Sequence, residues 1–263
     1  MTRTQRATLA TALAVAGGLI SRGLSRWSGP GVFPAVTLWV ICGVLLNQGL
    51  YGLGALGDLV RQARRHPGGI TPTVPYGRPM APASRCLAVL RTWGRTGLAL
   101  EARRAFLLGL LAAALLVLLT QLYAPQVSLI IAVGGALLAV LALAGAAEGL
   151  QVALLSALAW CAATALDRPL ALTHAVVALL AGAAIAAALR PAEGRAGRAA
   201  TVICSLGLGL VPALNWQPAL ACPIWALSLA HLALPRDVVS PITYRLLAAL
   251  SVLCAAVAVS YWL

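Results

Sequence analysis

Apolar residues fall along this chain in long unbroken blocks, without the short polar and apolar alternation of half-buried strands. The blocks occupy residues 7–21, 31–57, 105–122, 126–147, 149–166, 170–189, 199–214, 217–234 and 242–263. A helix crosses the hydrocarbon core of a bilayer with about 20 residues, within a range of about 17 to 25. Each block therefore predicts one transmembrane helix, the first being short. Only helices and closed barrels satisfy backbone polar groups in lipid, and these runs are too long for barrel strands. The expected fold class is an all-α polytopic membrane protein of nine transmembrane helices, forming one domain over 1–263. Arg3 and Arg6 ahead of a brief apolar stretch also fit a secretory signal peptide, a second reading for the first block alone. Gly, Ala and Ser are frequent inside the blocks, as expected where helices approach closely in lipid, and Gly145 and Gly149 form a GxxxG pair.

Composition narrows the function classes. With 61% hydrophobic and 10% charged residues and a mean hydropathy of +0.93, the chain is neither a soluble enzyme, a disulfide scaffold nor a disordered segment. The formal charge is +13, and all 19 basic residues are Arg. In a soluble chain that balance would suggest nucleic acid. Here the Arg residues lie between the apolar blocks, where topology and anionic lipid account for them, so no nucleic-acid partner is expected. With the N-terminus inside, only Arg22, Arg26 and Arg168 fall outside, and of the acids only Asp167 does. The positive-inside rule then predicts a cytoplasmic N-terminus and places any charge-dependent function on the cytoplasmic face; the expected location is a bacterial inner membrane.

Common catalytic motifs are absent: there is no GxSxG, HExxH, Walker loop or dinucleotide fingerprint. The six cysteines form no CxxC pair and read as small hydrophobes, and His66, His174 and His231 are too far apart in sequence to suggest a metal site. The one long loop, 58–104, begins rich in Arg, Pro and Gly. Its second part, 84–104, carries Arg91 and Arg95 four apart beside Leu87, Leu90, Leu98 and Leu100 and predicts a helix lying at the interface.

Two junctions stand out. The second block ends in Leu53-Gly-Ala-Leu-Gly-Asp58, followed by Arg61, Arg64, Arg65, His66 and then Pro75-Tyr76-Gly77-Arg78. The sixth ends in a second charged loop, 190–199, with Glu193, Arg195 and Arg198 running on to Thr201. Each pairs one acid with several Arg and with glycines that permit close backbone approach, and guanidinium forks suit bidentate binding of diphosphate. The simpler reading of either loop alone is a set of positive-inside anchors.

Nine blocks with charged junctions after the second and sixth resemble the UbiA superfamily of intramembrane prenyltransferases. Gly57-Asp58 stands where that family has Asn-Asp, "PTVPYGR" over 72–78 resembles its Pro-Gly-Arg stretch, and Glu193-Gly-Arg-Ala-Gly-Arg-Ala-Ala-Thr201 resembles its second motif. The resemblance implies an isoprenyl diphosphate donor, a lipophilic acceptor, and Mg²⁺ held by acidic clusters that include Asp58 and Glu193. On this reading of the chain's own residues, Arg61, Arg65, Arg78, Arg195 and Arg198 bind the diphosphate, Tyr76 or His66 orients the acceptor, and Asn47, beside Gln48, either faces a central cavity or forms a helix-to-helix hydrogen bond. Partners in a biosynthetic complex are left open. The chain departs from the family where it matters: Arg61, Arg65 and Arg195 stand at positions where Asp is expected. One acid per cluster makes a poor Mg²⁺ site, and Arg can supply the same electrostatic clamp on a diphosphate. Two alternatives follow: a catalytically inactive isoprenoid-binding scaffold of the same fold, or a transporter with a broken helix near Asn215, between Pro212 and Pro218.

Overall fold

In a computed structural model, residues 3–21, 32–65, 107–109, 111, 114–115, 125–166, 169–189, 195–214, 218–233 and 241–262 are described, and no strand occurs among them. The helices are α1 (Arg3–Ile20), α2 (Val32–Trp39), a π-helical turn (Val40–Leu46) that runs directly into α3 (Asn47–Arg65), α4 (Pro125–Ala144), α5 (Glu148–Thr164), α6 (Leu172–Leu189), α7 (Arg195–Leu214), α8 (Pro218–Ala233) and α9 (Pro241–Trp262). Each coincides with a predicted block. Of the third block only 107–109, 111 and 114–115 are described, all helical. The predicted helix at 84–104 lies outside the described residues. Among those described, Phe33–Ala55, Pro125–Ala144 and Leu172–Leu189 are long and apolar enough to cross a membrane, and four shorter apolar helices accompany them.

Three boundaries differ from expectation, for local reasons. α1 begins at Arg3, so Arg6 lies inside the helix. α3 continues eight residues past the apolar block to Arg65, because nothing in Asp58 to Arg65 breaks a helix before Pro67. α7 likewise takes in Arg195 and Arg198. Pro218 opens α8 at a position where no N–H is needed, so the two prolines near Asn215 belong to two successive helices.

α5 is the central helix: eleven of its seventeen residues are buried. It packs on α6, α1 and α4, while α7, α8 and α9 follow in turn and α9 returns to α6 and α1. Small residues set the close approaches. Gly17 and Gly18 of α1 leave room for the Trp160 ring and backbone of α5, and Gly182 of α6 lies against the backbone of Ala153 and Ala157. Trp160 is fully buried there. Along α4, Leu129, Val133, Leu137 and Val140 form an exposed apolar stripe, each more than half accessible, and the first three border the space toward α5 and α6.

The expected GxxxG contact is not made. Gly145 has φ +81° and ends α4 in a Schellman motif, with Gly145 N–H donating to Ala142 O at 3.1 Å and Ala146 N–H to Leu141 O at 2.9 Å. It is a helix terminator that only a residue free of Cβ strain adopts readily, and Gly149 lies in the next helix.

Candidate functional site

The described charges gather at one end of the bundle. Arg6 near the start of α1 pairs with Glu148 at the start of α5, at 3.6 Å. α3 ends beside the end of α4, since Arg61 Nη1 donates to Leu143 O at 2.8 Å. Five residues connect α6 to α7, too few to run back along an 18-residue helix. The first turn of α7, with Arg195 and Arg198, therefore starts at this same end. Arg65 follows Arg61 by one turn. Alternation of the predicted spans put these residues on one face, and the packing agrees.

The best-defined part is the α3 terminus. Gly57 sits so close to the backbone of Leu143 that a Cβ there would overlap it, and Gly54 faces Ala142. That approach carries Asp58 and Arg61 to the α4–α5 turn. Arg61 Nη2 donates to Asp58 Oδ1 at 2.6 Å, one turn back on the same helix. Its Nη1 takes the Leu143 carbonyl, while the two preceding carbonyls are taken by the Schellman bonds. A cation at a helix C-terminus also lies at the negative end of the helix dipole. Gln151 completes the turn by donating from Nε2 to Ala146 O at 2.8 Å. The glycines read in the sequence as space for a ligand thus serve helix packing here, and Arg61 serves as the cap of α4. Replacing Arg61 with Ala is expected to lower stability by about 1 kcal/mol, measured by thermal unfolding in detergent. No change would show that water replaces the cap without loss.

The sequence-predicted site residues are placed unevenly. Asp58 is exposed, with 68% of its side chain accessible, and Arg61 is partly covered at 33%. Asn47 is buried at the junction of the π turn with α3. Arg65, Arg195 and Arg198 are placed by backbone on α3 and α7. His66, Tyr76, Arg78 and Glu193 lie outside the described residues. α3 packs on α4, α1 and the π turn, whereas α7 packs on α6, α8 and α9. Between these two groups stand α1 and α5, with the indole of Trp160 buried where they meet.

The described residues do not fit a Mg²⁺ site. Mg²⁺ requires octahedral oxygen ligation, usually from one or two carboxylates with waters and phosphate oxygens. Asp58 is a single carboxylate already bound to a guanidinium, and no group of three His, Cys, Asp or Glu comes together among the described residues.

Sequence reasoning missed the apolar groove between α4, α5 and α6. It has a volume of about 440 Å³ and is lined by Ile130, Gly134, Leu138, Leu158, Cys161 and Leu179 among others. In helices apolar all round, the pattern carries no signal for which face is left open. Comparison with known proteins adds no relative: no family model, no curated protein and no solved structure matches this chain.

Proposed function

We propose that this chain is an integral membrane protein of the UbiA type that binds an isoprenyl diphosphate at its charged end and transfers the isoprenyl group to a lipophilic acceptor. The observation supporting it is the collection of Arg6, Arg61, Arg65, Arg195 and Arg198 at one end of an otherwise apolar helical bundle. An amphiphile with an anionic head and an apolar tail matches that division: guanidinium groups take the diphosphate and the apolar body takes the chain.

A second reading keeps the ligand and removes the transfer: a binding or presenting scaffold for an isoprenoid lipid. It is favoured by the Asp58–Arg61 bond, which ties the one described motif carboxylate to a cation and leaves it a poor metal ligand. The test is thermal stability of the detergent-purified protein with farnesyl or geranylgeranyl diphosphate, with Mg²⁺ and again with EDTA. Saturating ligand at about 100 times its Kd is expected to add about 2.7 kcal/mol. The gain is expected to survive EDTA and to disappear in the Arg65→Gln, Arg195→Gln double variant, which leaves the Arg61 cap in place. Absence of stabilisation in both buffers would overturn both readings. Product formed from labelled isoprenyl diphosphate and membrane lipid extract would decide for transfer over binding.

A further inference from the structure

The π turn at Val40–Leu46 lies within an otherwise α-helical run from Val32 to Arg65. A π turn accommodates one residue more than an α turn over the same length. If the turn closes to α geometry, each residue beyond it moves to the place of its successor, a rotation of about 100° and an advance of about 1.5 Å. The present geometry is held from outside by α1. Thr8 Oγ1 donates to Gly43 O at 3.2 Å, Trp39 Nε1 donates to Thr8 O at 3.1 Å, and Gly43 is packed so closely on Thr11 that a Cβ would overlap the Thr11 hydroxyl.

The register of α3 depends on that extra residue. With the π turn in place, Gly54 and Gly57 face α4 and Arg61 reaches Leu143 O. With an α turn, positions 53, 56 and 60 would take those three places. The sequence there is Leu53, Leu56 and Val60, so both registers offer α4 an apolar or small face. The glycine register allows close contact and Arg61 capping. The leucine register requires α3 to stand further from α4 and moves Arg61 off the α4 terminus.

We propose that the π turn is a two-position joint, which in one position seats the glycine face of α3 and the Asp58–Arg61 pair on the end of α4, and in the other advances α3 by one residue and frees that pair. Interconversion is a register shift between two packings of the same helix, with no covalent change. The inference stands on the π turn, its anchors on α1 and the two faces of α3, and does not rest on the ligand proposed above.

The test is a distance distribution between spin labels at Tyr51 on α3 and Val140 on α4, both exposed, in a background with the native cysteines replaced. A 100° rotation of a side chain roughly 5–6 Å from the helix axis displaces it by about 8 Å, which separates the two positions. The chain without further substitution, in bilayer nanodiscs, is expected to give two distances. Deleting Val44 removes the extra residue while leaving α3 in its described register, and is expected to leave one distance, that of the described position. Gly43→Ala, which disfavours the π geometry against Thr11, is expected to enrich the other. A single distance in the chain without further substitution, equal to that of the Val44 deletion, would overturn the joint even if the Gly43→Ala protein failed to fold.

Discussion

Replacing Trp160 with Ala is expected to destabilise the protein by about 3–5 kcal/mol, the range for truncating a buried Trp. Trp160 is fully buried on α5, and Gly17 and Gly18 of α1 make room for it. Helices surrounded by lipid gain little from apolar burial as such, so truncation acts by removing the dispersion attraction of a closely packed ring. The indole Nε1 has no hydrogen-bond partner among the described residues. Trp160→Phe should therefore lose volume but no polar interaction, and is expected to cost clearly less than Trp160→Ala because the cavity it leaves is smaller. Thermal unfolding of the two variants in one detergent checks the pair. Equal destabilisation by Ala and Phe would mean that a polar interaction of the indole, and not its packing, holds the centre.

The second large effect is expected at Gly182. A side chain there meets backbone atoms: a Cβ would overlap Ala153 O, and Ala157 N would lie at 3.0 Å. Backbone within a helix cannot step aside as a side-chain tip can, so Gly182→Val must push α6 away from α5 along the whole face they share. Overpacking of this kind costs about 1–3 kcal/mol and sometimes more. Because α5 is central to the bundle, loss of folded protein on expression is the expected readout. Gly109→Ala is the control: its added Cβ meets nothing within 4 Å, and the better helix propensity of Ala is expected to be neutral or stabilising by up to about 1 kcal/mol. Equal behaviour of the two variants in fluorescence-detected size exclusion would contradict the close α5–α6 packing.

Much of the secondary structure is legible in the sequence because apolar run length is a direct record of helix length. The block at 170–189 corresponds to Leu172–Leu189, and that at 126–147 to Pro125–Ala144. The helix ends that run on beyond their apolar blocks at Arg3, Arg65 and Arg195 are all charged ones. Hydropathy puts Arg3, Arg61 and Arg195 in connections, because its boundary marks where the chain ceases to be apolar and not where its backbone bonds end. The candidate site is legible in part. Asp58 and Arg61 stand out together in the sequence and are bonded in the structure. Their joint role in closing the α4 terminus depends on Leu143 and Gly145, more than eighty residues away, and no local pattern connects them.

By itself the sequence determined that the chain is helical, where most helices begin and end, and which charges share one end of the bundle. These follow from local properties: run length, helix breakers and the alternation of connections. Tertiary structure alone decided that Gly57 and Gly182 serve helix contacts, that Gly145 terminates a helix, that Trp160 fills the centre, and that one extra residue in a π turn sets the face α3 shows to α4. The physical reason is common to all four. A helix apolar on every side has no preferred face until a neighbour arrives, so the roles of its small and large residues are assigned by packing and not by pattern.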